Sequence, residues 1–577
     1  MSRYFLANLE STGAGAGGVA LAARLAKAGL RVTVLEKNDF TGGRCSLIHE
    51  DGGYRFDQGP SLVLLPALFR ETFADLDTTL EDSGVDMLRC PSNYNVWFHD
   101  GARFQHSSDL AAMRREVERW EGPDGFERWL GWLREGHRHY EVSVREVLRK
   151  NFVKPWHMIR PAFLASILDM HPFESIWARA GRYFHSERMR RVFTFATMYM
   201  GMSPFDAPAT YSLLQYTEFA EGIWYPRGGF HKVVEALVNI GQRLGVEYRM
   251  STPVSQVLTS ADGKKATGVR LEDGSELSAD IVVLNADLVY AYEKLLPPTP
   301  RVQKRSKALQ TKEASCSSIS FYWSLDRKIP ELSTHNIFLA EQYRESFDDI
   351  FRRHQLPDEP SFYVNVPSRV DPTAAPEGCD SVIVLVPVGH LTQSATADKD
   401  GLPLDEKRWE QVVARARTAV LACVNDRLKL QTPLEDAIIG EVINTPLTWK
   451  SKFNLDRGAI LGLGHNFFNV LWFRPKTRAT ELGSTYFVGA STHPGTGVPI
   501  VLAGSRITAE QILGDLGMRA PWGSHSNGRR PGLSRLMDGR SDTWWRFGTE
   551  EFLILVLLAA VFFLISYVLP LLHVTRI

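Results

Sequence analysis

Glycine and small apolar residues set the first pattern in the chain. Over 13–35 the order is a glycine turn, Gly13-Ala14-Gly15-Ala16-Gly17-Gly18, a small-residue helix over 18–29, and a strand, Arg31-Val32-Thr33-Val34-Leu35, ending at Glu36. That order is half of a βαβ unit, and it predicts an α/β architecture. From about 110 to 237 the periodicity turns helical and rich in Trp, Phe, Met and Tyr, which predicts a helical subdomain. Alternating or continuous apolar runs at Ser317-Ile319-Phe321-Trp323, Phe362-Tyr363-Val364-Asn365-Val366 and 381–388 read as strands of a mixed sheet between about 310 and 450. The polar stretch 394–407 reads as a surface loop, and residues 517–543 as a flexible linker.

Residues 552–572 form an uncharged apolar run, long enough at about 1.5 Å per residue to cross a hydrocarbon layer of roughly 30 Å. Trp544, Trp545 and Arg546 precede it, as an interfacial belt would. Arg529, Arg530, Arg535, Arg540 and Arg546 lie before the run and only Arg576 after it. The expectation is therefore a single-pass C-terminal membrane anchor with the body on the cytoplasmic side. The N-terminal residues lack the apolar core and cleavage site of a secretory signal, so the body is not expected to be translocated.

A chain of 577 residues is expected to divide into more than one domain. With 66 basic and 66 acidic residues it carries no net charge and no basic stripe, which argues against a nucleic-acid partner. Its five cysteines are scattered without ligand spacing, so they read as reduced thiols and no metal site is expected.

Gly13, Gly15 and Gly18 fit G-x-G-x-x-G, and Glu36 follows at the distance of a ribose-binding carboxylate. Each glycine has its own reason: a tight turn, close approach of backbone amides to a pyrophosphate, and close packing of the following helix. The pattern alone does not separate FAD from NAD. One feature departs from it. An apolar strand is expected before Gly13, but Asn8-Leu9-Glu10-Ser11-Thr12 stands there. Either the strand is shifted to 4–9 or this segment is irregular, because an unpartnered buried Glu10 would cost several kcal/mol.

Further along, Glu36-Lys37-Asn38-Asp39-Phe40-Thr41-Gly42-Gly43-Arg44 is similar to the second flavin signature of the FAD amine oxidase-like superfamily. Gly489-Ala490-Ser491-Thr492-His493-Pro494-Gly495-Thr496-Gly497-Val498 resembles the C-terminal flavin signature of carotenoid desaturases. Phe193-Thr194-Phe195-Ala196-Thr197-Met198-Tyr199-Met200-Gly201-Met202-Ser203-Pro204-Phe205-Asp206-Ala207-Pro208 and Glu221-Gly222-Ile223-Trp224-Tyr225-Pro226-Arg227-Gly228-Gly229-Phe230 look like fungal phytoene desaturases, a likeness covering about 13–515.

The resemblance implies a Rossmann-type FAD-binding domain built from 1–105, 226–300 and 456–516, with NAD left as an alternative cofactor or acceptor. It implies a helical, membrane-facing substrate subdomain at 106–225 and a substrate-domain sheet at 301–455, followed by a linker at 517–548 and the transmembrane helix at 552–572. The implied cofactor residues are Gly13, Gly15, Gly18, Glu36, Gly42, Gly43, Arg44, Val254, Gly489, Gly495, Thr496, Gly497 and Val498. The implied activity is stepwise dehydrogenation of phytoene toward lycopene or 3,4-didehydrolycopene by hydride transfer to flavin. Its partners would be partly desaturated carotenes, membrane lipid and a quinone or other electron acceptor.

Asp206, Glu218 and Glu221 are candidate acid/base groups, because burial beside an apolar substrate raises a carboxyl pKa. Arg227 is a candidate cationic partner, and His493 could sit at the flavin or start a helix. Two other readings fit the same residues: a flavoenzyme acting on another isoprenoid, a retinoid or an amine, and a non-redox prenyl-binding escort protein.

Overall fold

The computed structural model describes residues 8–160, 163, 166–167, 169–392 and 406–523. A five-stranded parallel sheet runs in the order Thr485–Phe487, Ile281–Leu284, Asn8–Thr12, Arg31–Leu35, Glu247–Arg249. Its strands come from widely separated parts of the chain. Ile281–Leu284 is buried along its whole length, as a central parallel strand covered on both faces should be. The helix Ala16–Lys27 follows the first strand and is buried from Ala16 to Ala26. Its small side chains let it lie against the helices His231–Arg243 and Val498–Asp515, which complete this layer.

The polar segment before Gly13 is itself the central strand: Leu9 pairs with Ile281 and Val32, and Thr12 with Leu284 and Leu35. The strand is thus Asn8–Thr12, not the shifted 4–9. Register is set from the glycine end, where the Gly13 amide donates to Leu35 O at 2.7 Å. The cost remains visible in Ser11 and Thr12, which are buried with unpartnered hydroxyls.

A second, seven-stranded mixed sheet runs Ile438–Asn444, Ser317–Leu325, Asp380–Val388, Phe362–Asn365, His335–Phe338, Tyr94–Trp97, Arg103–His106. The strands expected from the apolar runs are there, but Tyr94–Trp97 and Arg103–His106 also belong to it, so the expected boundary at 105 does not follow the sheets. The helix Glu406–Leu428 covers one side with Trp409, Ala416, Val420 and Val424. Toward the other end, helices Gly125–Val142 and Leu213–Ala220 build an aromatic core around Trp129, Trp132, Phe184 and Phe193.

Among the described residues, no helix is long and apolar enough to cross a membrane. The span expected at 552–572 and the linker beyond 523 lie outside the described residues.

Candidate functional site

The strand end, the glycine turn and the next helix meet at the C-terminal edge of the parallel sheet, where open α/β sheets bind ligands. Gly13 sits at φ +101°, and a Cβ on Gly18 would lie 2.2 Å from Gly13 O. Helix and turn therefore touch at a distance only glycine permits. Gly15 is the N-cap of Ala16–Lys27, which leaves the first helical amides facing the cavity.

Glu36 locks this turn: its Oε2 accepts the Ala14 amide at 2.7 Å and its Oε1 accepts the Asn38 amide at 3.0 Å. Oε1 also accepts from Asn38 Nδ2 at 3.0 Å, so Oε2 is the oxygen that keeps a second lone pair for a ribose hydroxyl. Gly42 crosses over the turn, its amide donating to Ala14 O at 2.8 Å. Arg44 is then recessed into the wall, donates to Ile460 O, and has its pKa lowered by desolvation. Among the described residues no carboxylate pairs with Arg44. A desolvated cation beside a helix N-terminus fits an anionic diphosphate.

The opposite lip is the turn after Thr485–Phe487. Gly497 (φ +95°) caps Val498–Asp515, whose N-terminus also faces the cavity. Asn285 joins the two lips: its Nδ2 donates to Val488 O at 2.8 Å and its backbone amide to Thr12 O at 2.8 Å. A Cβ on Gly15 would come within 2.8 Å of Asn285 Oδ1, so this asparagine and the glycines are mutually fitted.

One cavity of about 660 Å³ runs from this cradle into an apolar arm. The nucleotide end is lined by Gly13, Gly15, Glu36, Gly42, Gly43, Arg44, Val254, Gly489, Thr496, Gly497 and Val498. The arm is lined by Leu64, Phe163, Met170, Phe195, Met198, Tyr199 and Leu214, among others. Gly18 and Gly495 stand just behind the lining, as packing residues; a Cβ on Gly495 would meet His465 Nε2 at 2.3 Å.

The flavin containing amine oxidoreductase family matches residues 16–513. A phytoene desaturase of Neurospora crassa is 61% identical over 535 residues, covering 91% of this chain and 88% of the relative. One of Cercospora nicotianae is 55% identical, covering 95% and 97%.

The chain belongs to the phytoene desaturases of the flavin containing amine oxidoreductase family.

The fold agrees: wild-type putrescine oxidase bound to putrescine superposes with a TM-score of 0.57 at 16% identity, covering 88% of this chain and 99% of that one. Membership gives this desaturase FAD as its cofactor.

The structure does not bring the expected catalytic set together at the cavity. Asp206 is exposed in a turn after Ser203. Arg227, just past the strand Trp224–Pro226, is exposed and paired with Asp86 at 2.7 Å. Glu221 is half-buried behind Tyr140, a wall residue whose hydroxyl donates to it at 3.1 Å. His493 is buried, its Nε2 bonded to Lys150 O at 2.8 Å and its ring packed on Phe152.

Glu218 lies deeper, fully buried, with its pKa raised to about 8 by desolvation. Asn285 and His465 are site residues that motif reading passed over. Asn285 is signalled only by its place at a strand end, and His465 lies in an irregular segment without periodicity.

Glu135, His139 and His171 also cluster. Arg179 holds the carboxylate at 2.5 Å, and both His139 ring nitrogens are engaged, by Ser212 Oγ at 2.7 Å and Asp169 O at 2.9 Å. This is a hydrogen-bonded ion-pair network.

Proposed function

We propose that this enzyme dehydrogenates phytoene in successive steps toward lycopene or 3,4-didehydrolycopene. The observation that carries the reading is the single cavity joining an anion-binding dinucleotide cradle to an apolar, aromatic and Met-lined arm. A C40 hydrocarbon has no polar handle, so apolar wall contacts must supply its binding, and methionines adapt to an irregular chain. Bound FAD supplies a two-electron acceptor that takes a hydride.

The protein's part is to hold and orient. The amides at the N-termini of Ala16–Lys27 and Val498–Asp515, with Arg44, would neutralise the diphosphate, and Glu36 would take the ribose. The apolar arm would exclude water and set the reacting carbons against the cofactor.

The substrate enters from lipid in this reading. Trp156, Ile159, Phe173 and Phe468 are exposed, and their neighbours Met158, Pro172 and Phe467 line the cavity. Lys154 lies over Trp156 at 4.9 Å and Lys476 over Trp472 at 5.2 Å. Such an aromatic and cationic rim suits a headgroup interface. The apolar run at 552–572 would add an anchor.

The experiment is incubation of FAD-loaded protein with phytoene in liposomes and a quinone, with chromatography of the products. Lengthening polyenes support the reading; untouched phytoene in the presence of bound flavin rejects it.

A further inference from the structure

Directly behind the apolar arm lies a knot of ionisable groups that a hydrocarbon ligand does not call for. Glu218, on Leu213–Ala220, is fully buried; Tyr94 donates its hydroxyl to Oε1 at 3.1 Å, and Oε2 has no partner. The Tyr94 ring packs against Phe195 at 5.5 Å and Tyr199 at 6.4 Å. Tyr199 is part of the cavity wall; its buried hydroxyl makes no fully formed hydrogen bond, and the polar group it interacts with is the Tyr94 hydroxyl. The neighbouring wall hydroxyl, Tyr363, is by contrast satisfied by Ser61 at 2.9 Å and His335 Nδ1 at 2.7 Å.

Among the described residues no positive charge stabilises Glu218. His106 and His335, from the strands beside Tyr94, have their pKa values lowered to about 4 and about 3 by burial. Helix Gly125–Val142, packed on the other side, contributes His139, whose ring nitrogens are already engaged. Asn93 donates to the backbone carbonyl of Glu218 at 2.6 Å, not to its carboxyl, and also bonds His106 Nδ1 at 3.0 Å. A buried polar atom left unmatched costs about 1–3 kcal/mol, so the carboxyl is expensive where it stands. Substrate recognition does not explain it. Proton chemistry does, because each new double bond releases a proton into a dry arm.

We infer that Tyr199, Tyr94 and Glu218 form the proton-accepting relay of the desaturation, with Tyr199 facing the substrate and Glu218 as the terminal base. The inference rests on the desaturase reading. At one carbon a C–H bond breaks and its electron pair leaves with hydrogen as hydride to FAD. At the adjacent carbon the C–H pair becomes the new π bond, and the proton goes to the Tyr199 oxygen. The Tyr199 hydroxyl proton moves to Tyr94, and the Tyr94 hydroxyl proton to the Glu218 carboxylate, which ends as a neutral acid. Tyr199 would be the catalytic residue; Tyr94 and Glu218 act through it.

The test is anaerobic reduction of the FAD-loaded full chain by phytoene in liposomes, followed across pH. Wild-type reduction should rise as pH passes the Glu218 pKa near 8, since only the carboxylate accepts. Glu218→Gln keeps the shape and an acceptor for Tyr94. It should bind flavin normally, reduce it roughly 100-fold more slowly and lose the rise with pH. Glu218→Asp should restore part of the rate and of the rise. Tyr199→Phe removes only a hydroxyl and should slow reduction similarly at full flavin content, which keeps the test decisive if Glu218→Gln does not fold. A wild-type rate and pH profile in either variant overturns the relay alone. A wild type that never reduces its flavin with phytoene overturns the desaturase reading and the relay with it.

Discussion

The Ala14 amide donates to Glu36 Oε2 at 2.7 Å, so the carboxylate proposed to hold a ribose also closes the glycine turn. Both lips of the cradle are built this way. Where the Glu36 carboxylate accepts from the Ala14 and Asn38 amides, Asn285 donates, its Nδ2 to Val488 O and its backbone amide to Thr12 O. The cofactor end is therefore organised by two polar side chains at strand ends, and the apolar arm begins where they stop.

Glu36→Gln should weaken FAD binding. The amide offers one acceptor oxygen and sets an NH2 group against the other backbone donor. Hydrogen bonds to charged groups contribute about 1.5–3 kcal/mol each, which converts to roughly 10- to 100-fold in affinity. Titration of apoprotein with FAD, read by flavin fluorescence, measures this; unchanged affinity would take Glu36 out of the site.

Gly18→Ala and Gly43→Ala should separate close packing from backbone strain. A Cβ at position 18 meets Gly13 O at 2.2 Å, whereas at position 43 the nearest atom is 3.8 Å away and only the φ of +55° objects. Alanine at 18 must displace the helix, and overpacking of this kind costs roughly 1–3 kcal/mol or more. At 43 the left-handed backbone costs about 1–2 kcal/mol. Thermal melting of the flavin-free proteins should place Gly18→Ala below Gly43→Ala; the reverse order would mean that the helix yields freely.

The motifs disclosed the parallel layer because glycine turns, a strand-end carboxylate and apolar strands are local signals. The central strand escaped them. Asn8–Thr12 owes its place to backbone pairing on both sides, which a polar side-chain pattern does not reveal. The acid/base candidates were equally unreadable, because whether a carboxylate faces a cavity depends on tertiary packing. Asp206, Glu218 and Glu221 lie close together in sequence yet end exposed, fully buried and half-buried. The Tyr94 partner of Glu218 comes from 124 residues away, on a strand of another layer.

Asp57 should make stability fall with rising pH. Tyr225 and the Phe230 amide donate to its carboxylate, each at 2.6 Å, but desolvation outweighs them and raises its pKa from 3.8 to about 6. Because the folded pKa lies above the unfolded one, the native state binds the extra proton, and its stability declines as pH rises from about 4 to about 6. At about 1.36 kcal/mol per pH unit, this amounts to roughly 3 kcal/mol. Asp57→Asn should flatten that part of the profile in urea unfolding, and an unchanged slope would assign it to other groups.

The methionines of the helical region divide into wall and core. Met198 lines the arm, whereas Met189 is completely buried in the aromatic core and does not. Tryptophan at 198 would grow into space meant for substrate; at 189 it would grow into packed side chains. Met198→Trp should therefore keep the wild-type melting temperature and flavin content while losing at least about 10-fold in desaturation, as expected when over about 1.4 kcal/mol of transition-state stabilisation is removed. Met189→Trp should lose roughly 1–3 kcal/mol of stability and lose activity only as far as it unfolds. Product chromatography beside thermal melting distinguishes the two. Equal loss of stability in both would show that Met198 belongs to the core and that the arm runs elsewhere.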